Sequence, residues 1–301
     1  MKQQTIANEC QVGWCPVKRG LDLRLNLMKK GRNWFTTVDY TRYDGTIPIN
    51  VLSMIRELRA EFLDIDDDEK DLLSWVNWNL LDKMVVLANG RVVKIAGGNP
   101  SGQVSTSVDN CLVNTYITAA SNAEWYKENF GKYPTLPQLN AWTDQLVYGD
   151  DRIGSYDGSV LAPPPKDWVV KFFSDYFGMW VKPQNVVNRT TLEGLEFCGM
   201  RMHYDRNSST WVGIYRTEKV KSSIVNPVKP ASTPEIIKAK LASAKILLAY
   251  DDQAVSWIEE KERQVNSVVL TEFKSPTLSE SKTLWTDQKE LKELTKIIID
   301  S

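Results

Sequence analysis

Residues 146–154 read LVYGDDRIG. Apolar residues lead into a Tyr-Gly pair, two carboxylates follow side by side, and apolar residues resume at Ile153. The pattern predicts a strand, a tight turn and a second strand. Asp150 and Asp151 repel each other unless solvent or a positive charge lies near them. A plain solvated turn meets that condition, and so does a cation site. The choice depends on which other carboxylates the fold can bring to the same place.

The rest of the composition narrows the chemistry. One histidine, His203, and four scattered cysteines, Cys10, Cys15, Cys111 and Cys198, argue against a zinc site and against histidine-based catalysis, and fit a reducing, cytoplasmic setting. No apolar run approaches the roughly 18 residues needed to span a bilayer, and the first residues do not resemble a signal peptide. The 301 residues, 42% hydrophobic, suffice for one large or two medium globular domains. Net charge is −1, so no global basic field points to nucleic acid, yet residues 1–38 carry seven Lys/Arg against Glu9 and Asp22.

Along the chain, WFTTVDY (34–40) reads as a strand, and Val51, Ile55, Leu58 and Phe62 recur at helical spacing after Pro48. The acidic run 64–71 reads as a solvated loop and helix start. Residues 83–95 read as a hairpin turning on Asn89-Gly90. A Gly-rich loop, GGNPSGQ (97–103), precedes a long helix expected over about 104–130. A helix is expected over 165–178, with Phe177 and Trp180 as core, and strands over 195–205 and 210–216. From Thr233 the pattern turns helical, with Ile237, Leu241, Ala244 and Leu248 on one face and Leu291, Leu294 and Ile298 on another.

Two upstream segments join the acidic pair. DYTRYDGT puts Asp39 at a strand end and Asp44 five residues on. SGQVSTSVDN supplies Ser101, Gly102, Thr106 and Asn110, the last two sharing a helix face. If neighbouring strands carry Asp39 and Asp150, three carboxylates converge, counting Asp151. Two divalent ions about 4 Å apart relieve such a cluster and supply the chemistry of in-line phosphoryl transfer.

The order D-x4-D, SG-x3-T-x3-N and YGDD resembles motifs A, B and C of viral RNA-dependent RNA polymerases. TRYDGTIP, GNPSGQVSTSVDN, YGDDR, FGMWVKP and FCGM are similar to the astrovirus and astro-like group, and the resemblance runs from about Val12 to Met200. It implies an α+β right-hand polymerase: an antiparallel palm sheet backed by helices, partial fingers and a helical thumb. The expected divisions are a fingers remnant over 1–33, a palm over 34–215 with a fingers insertion at about 45–98, and a thumb over 216–301.

The resemblance also implies roles. Asp39 and Asp150 would bind two Mg²⁺ ions, which Mn²⁺ could replace, with Asp151 auxiliary. Asp44 would accept a hydrogen bond from the ribose 2′-hydroxyl, where reverse transcriptases hold a bulky aromatic. Asn110 would orient Asp44, and Ser101, Gly102 and Thr106 would complete the pocket. LEFCGMR resembles motif E, with Cys198 read as packing. Partners implied are RNA template, primer or nascent strand, rNTPs and other replicase proteins, at a membrane-associated replication complex in the host cytoplasm.

The sequence departs from the family pattern twice. The motif D lysine usually follows a proline, whereas Lys182 precedes Pro183; Lys182 is the candidate general acid, with Arg189 as an alternative. Only 38 residues precede Asp39, so most of the fingers is missing and a partial chain is expected. Two other readings stay open: a reverse transcriptase-like polymerase, disfavoured by Asp44, and a catalytically incomplete RNA-binding polymerase fragment.

Overall fold

On the first strand, Asp39 stands exposed between buried Val38 and Tyr40. This computed structural model describes residues 9–231, 233–268 and 273–287; the predicted face of Leu291, Leu294 and Ile298 lies outside them. In chain order the elements begin with helix α1 (Gly20–Lys29), strand β1 (Trp34–Thr41), the one-turn α2 (Tyr43–Thr46), α3 (Ile49–Ala60) and α4 (Asp67–Leu81). The hairpin β2 (Asp82–Val86) and β3 (Val92–Ala96) follows, then α5 (Thr106–Phe130), α6 (Leu136–Trp142), β4 (Thr143–Tyr148), β5 (Asp151–Tyr156), α7 (Lys166–Phe177) and β6 (Trp180–Arg189). The remainder is β7 (Glu196–Phe197), β8 (Met200–Asp205), β9 (Thr210–Tyr215) and helices α8 (Thr217–Val225), α9 (Pro234–Leu247), α10 (Asp252–Val268) and α11 (Leu278–Thr286).

The chain divides into two compact units. The larger, residues 2–12 and 28–191, is built on an antiparallel sheet of order β4-β5-β1-β6. The apolar faces of α3, α5 and α7 cover it: Val38, Ile55, Ile117, Phe172, Phe173 and Val186 are buried in one cluster. Burying side chains of this size is the main stabilising term. The acidic run is a helix start, with Asp66 and Glu69 forming a reciprocal capping box at α4. The β2–β3 hairpin turns at Gly90, φ 80°, as its Asn-Gly pair predicts.

Two expectations about this unit need correction. On α3 the buried residues are Val51, Leu52, Ile55 and Arg56. Leu58 is exposed, and Phe62, 81% exposed, lies beyond the helix end. The buried stripe is thus shifted by one residue, because Leu52 and Arg56 turn inward instead of Leu58. Trp180 is not core: it opens β6 and is 60% exposed, while Phe177 packs against the cluster. The segment WVKPQNVVNR is a strand at the sheet edge, where a proline's missing N–H is tolerated.

The smaller unit comprises residues 13–27 and 192–301. Its sheet has the order β7-β8-β9. The single strand expected over 195–205 is broken by a two-residue turn with positive φ at both Cys198 (50°) and Gly199 (72°), the geometry that suits strand twist. Cys198 is a half-buried residue of that turn. Leu241, Ala244 and Leu248 are buried against Ala254 and Ile258, with Ile237 at the margin, as the helical spacing predicts. Asp22 on α1 is fully buried and accepts from Arg19, from Asn26 and from the Trp211 backbone N–H, fastening this N-terminal segment to β9.

Ile117 is fully buried where α5 meets the sheet. Ile117→Ala should lower unfolding stability by about 2–5 kcal/mol, read as a lower denaturant midpoint at unchanged slope.

Candidate active site

The β4–β5 hairpin pairs Tyr148 with Asp151, which leaves Gly149 and Asp150 as the turn. Gly149 takes φ 63°, a backbone conformation that glycine adopts without a steric penalty. On the neighbouring strand the β1–β5 pairing ends at Thr37 and Ile153. Asp39 lies two residues beyond that pair, at the end of the sheet where the turn sits. A cavity of about 510 Å³ opens there, lined among others by Arg42, Asp44, Asn110, Tyr148 and Asp150.

Asp150 has its carboxyl pushed above the ordinary range. Burial is the main cause; its own backbone N–H opposes it, and the negative charges of Asp44 and Asp39 add to it. Like charges thus act on one another at the end of the sheet, as the acidic pattern implied. Asp151 is exposed at the start of β5, and it is not among the cavity-lining residues.

The Asp44 carboxylate is held on both oxygens. Asn110 Nδ2 donates to Oδ1 at 2.6 Å, and the Ser101 hydroxyl donates to Oδ2. Asn110 is itself fixed, accepting from Asn99 Nδ2 at 2.8 Å through its side chain and from the Tyr43 hydroxyl at 2.9 Å through its carbonyl. Thr106 does not join this group. Its hydroxyl reaches the carbonyls of Pro100 and Gln103, both at 2.8 Å, and clips the loop to the first turn of α5. Gly102 is exposed with φ 99°.

The Gly-rich loop lies directly on the backbone that follows β1. Asn99 N–H donates to Asp44 O, and Gly98 N–H to Ile47 O. A Cβ on Gly98 would stand 3.1 Å from Asp44 O, and one on Gly97 equally close to Ile47 O, so both positions need glycine for space as well as for positive φ. Lys83 on β2 donates to the carbonyls of Gly97 and Gly98.

Four features escaped the sequence reading. Asn114 Nδ2 donates to both Gly149 O and Asp150 O at 3.0 Å and holds the turn from α5. The N-x3-N spacing of Asn110 and Asn114, which share a helix face, was the available signal. Arg42 lines the cavity with left-handed backbone, φ 55° and ψ 47°, and its type and place in DYTRYDGT gave no such sign. Asn185 on β6 donates to Asp39 Oδ2 at 3.1 Å. Asp109, fully buried, binds Arg56 and Arg59 of α3 together with Gln103 and Ser105, and anchors the start of α5. Lys182 is exposed on β6 and is not among the residues that line the cavity.

Hard oxygen donors are what Mg²⁺ requires, and carboxylates whose charges destabilise one another fit a divalent cation. Among the described residues no group of three or more His, Cys, Asp or Glu is gathered as a ready-made cage. Mg²⁺ is ordinarily held by one or two carboxylates with substrate phosphates and water, so Asp39 and Asp150 meet its needs.

A family model described as viral RNA-dependent RNA polymerase matches residues 1–256. The chain belongs to that family. It is 36% identical over 276 residues to the non-structural polyprotein 1AB of avian nephritis virus 1, covering 90% of this chain and 18% of the polyprotein. It is 37% identical to that of turkey astrovirus 2, over 82% of this chain and 15% of the polyprotein, and 35% identical to that of human astrovirus-1, over 83% and 17%. The chain thus spans less than a fifth of these relatives' length. The RNA-dependent RNA polymerase of a human picobirnavirus, solved as an insertion-loop deletion mutant, shares the fold, with a TM-score of 0.68 at 15% identity over 97% of this chain and 55% of that one. The α+β polymerase fold expected from the motifs is therefore present. No helix among the described residues is long and apolar enough to cross a membrane.

The raised carboxyl of Asp150 has a consequence for stability. A carboxyl raised on folding contributes stability at low pH that is lost as pH rises through its folded value. Without divalent ions, Asp150→Asn should melt above the unaltered chain at neutral pH. The gap should close as pH falls through the carboxylate range, as read by thermal melts across pH.

Proposed function

We propose that this chain carries the catalytic centre of an RNA-directed RNA polymerase that adds rNMP from rNTP to an RNA 3′-hydroxyl on an RNA template, in viral genome replication. The observation that carries the reading is the Asp44 carboxylate, oriented by Asn110 and Ser101 in the cavity that Asp150 also lines. Asp39 and Asp150 would hold Mg²⁺ or Mn²⁺, with Asp151 assisting. Such ions, when bound, help deprotonate the attacking hydroxyl and stabilise the departing pyrophosphate.

The chain's own residues supply the rest. Asp44 presents an acceptor to the ribose 2′-hydroxyl, and its two fixed hydrogen bonds keep it from turning away. A deoxyribose leaves that acceptor unmatched, which is the strong kind of discrimination. Asn114 keeps the turn that presents Asp150 in one conformation. Lys182 is the candidate proton donor to pyrophosphate, reached by movement of its side chain from the exposed strand edge. In this reading the fold comprises a palm over 34–215 with a fingers insertion, and a thumb over 216–301. Its partners are template, primer or nascent strand, rNTPs and other replicase proteins at a membrane-associated complex in the host cytoplasm. RNA held through its phosphates should dissociate steeply with salt.

A reverse transcriptase-like activity is the second reading, since it shares paired palm aspartates, but a carboxylate at position 44 favours ribose over deoxyribose. The third is an RNA-binding polymerase fragment without catalysis.

Primer extension on an RNA template with rNTPs and Mg²⁺ or Mn²⁺ tests the proposal. Extension should occur with the unaltered chain and be abolished in Asp150→Ala; extension indifferent to Asp150 overturns the assignment, and RNA binding without extension favours the third reading. Asp44→Ala should narrow the preference for rNTP over dNTP by about 10- to 100-fold in kcat/KM, the value of one or two lost hydrogen bonds at a charged acceptor. Unchanged selectivity would remove Asp44 from sugar recognition.

A further inference from the structure

The edge strand β6 breaks register against β1 at one place. Val38 pairs with Val186 and Tyr40 with Val181, so Lys182, Pro183, Gln184 and Asn185 all stand opposite Asp39 alone. A bulge re-aims side chains, and bulges concentrate near active sites. Pro183 favours the break, because it has no N–H to give to a ladder.

The bulge returns Asn185 to β1 with its amide against Asp39. Asn185 Nδ2 lies 3.1 Å from Asp39 Oδ2 and 3.2 Å from Asp39 O. The amide has two protons and here meets two acceptors of one residue. Spanning a residue's carboxylate and its own carbonyl restricts the side-chain torsions of that residue. Among the described residues no other side chain bonds to the Asp39 carboxylate, and no Lys or Arg pairs with it. Oδ1 therefore stays available.

The chemistry of the donor matters. A lysine or arginine in this position would neutralise Asp39 and compete with a cation. An amide orients the carboxylate and leaves its full charge in place. Groups that hydrogen-bond to metal-binding side chains commonly set both their orientation and the affinity of the site.

The geometry points to Asn185 as a positioning residue that sets the divalent-cation affinity of Asp39 by fixing its carboxylate through the β6 bulge. This rests on the proposed role of Asp39 in holding the ions. Asn185 touches neither substrate nor reacting atoms; it acts through Asp39.

Mn²⁺ titration of the full chain, with free ion followed by electron paramagnetic resonance, tests this without reference to polymerase turnover. Asn185→Ala should weaken Mn²⁺ binding by about 10-fold or more. Gln184→Ala, in the same bulge, should leave it unchanged, and Asp39→Ala should remove it. If Asn185→Ala lowers the melting temperature, Asn185→Leu, which keeps similar volume without a donor, should give the same weakening at restored stability. Unchanged affinity in a folded Asn185 variant overturns the inference and leaves the polymerase reading standing. Equal weakening in Gln184→Ala also overturns it, because the bulge as a whole would then be responsible. Absence of any Asp39-dependent Mn²⁺ binding in the unaltered chain overturns the metal assignment itself.

Discussion

Negative charges crowd the end of the four-stranded sheet, and the surrounding structure holds them with neutral donors. Asn110 fixes Asp44, Asn185 fixes Asp39, and Asn114 fixes the carbonyls of the turn that carries Asp150. Among the described residues none of these three carboxylates forms an ion pair. Three elements, α5, β6 and the loop before α5, are thereby tied to one point. No protein cation among the described residues pairs with the three carboxylates, and burial together with the charges of Asp44 and Asp39 raises the Asp150 carboxyl.

The opposite solution appears at the neighbouring position on α5. Asp109 is fully buried, and there two guanidiniums from α3 surround it. A buried charge without partners is untenable, so this pair must form if α5 is to start where it does. The adjacent residues Asp109 and Asn110 thus face different demands: one is neutralised to anchor the helix, the other is an amide that orients a carboxylate while leaving its charge intact.

Much of this was legible in the sequence because it is local. Asn89-Gly90 dictates a hairpin, Gly149 a tight turn, and the periodicity of 234–248 a buried helix face. Asp39, Asp44, Asn110 and Asp150 were legible through motif spacing, and the structure brings Asp44, Asn110 and Asp150 to one cavity. What was hidden depends on long-range partners. Asn185 gains meaning only from a register break across from Asp39, a residue 146 positions away. Pro183 has no N–H to give to a ladder, and only its place on an edge strand lets the sheet include it. Thr106 shares a helix face with Asn110, but the loop ahead of it takes up its hydroxyl first. Leu58, Phe62 and Trp180 look like core by type, and only the packing of neighbouring helices shows that their positions face solvent.

The two outer strands of the sheet differ in how their free sides are finished. On one side the chain at Glu9–Gln11 hydrogen-bonds to Val147 of β4 and covers it. On the other, β6 runs ten residues but is interrupted by Pro183 and the charged Lys182. An unbroken edge of that length would invite strand addition from another molecule. The break that turns Asn185 toward Asp39 also deprives a neighbouring chain of a continuous template, so one local irregularity protects against aggregation as well as shaping the site.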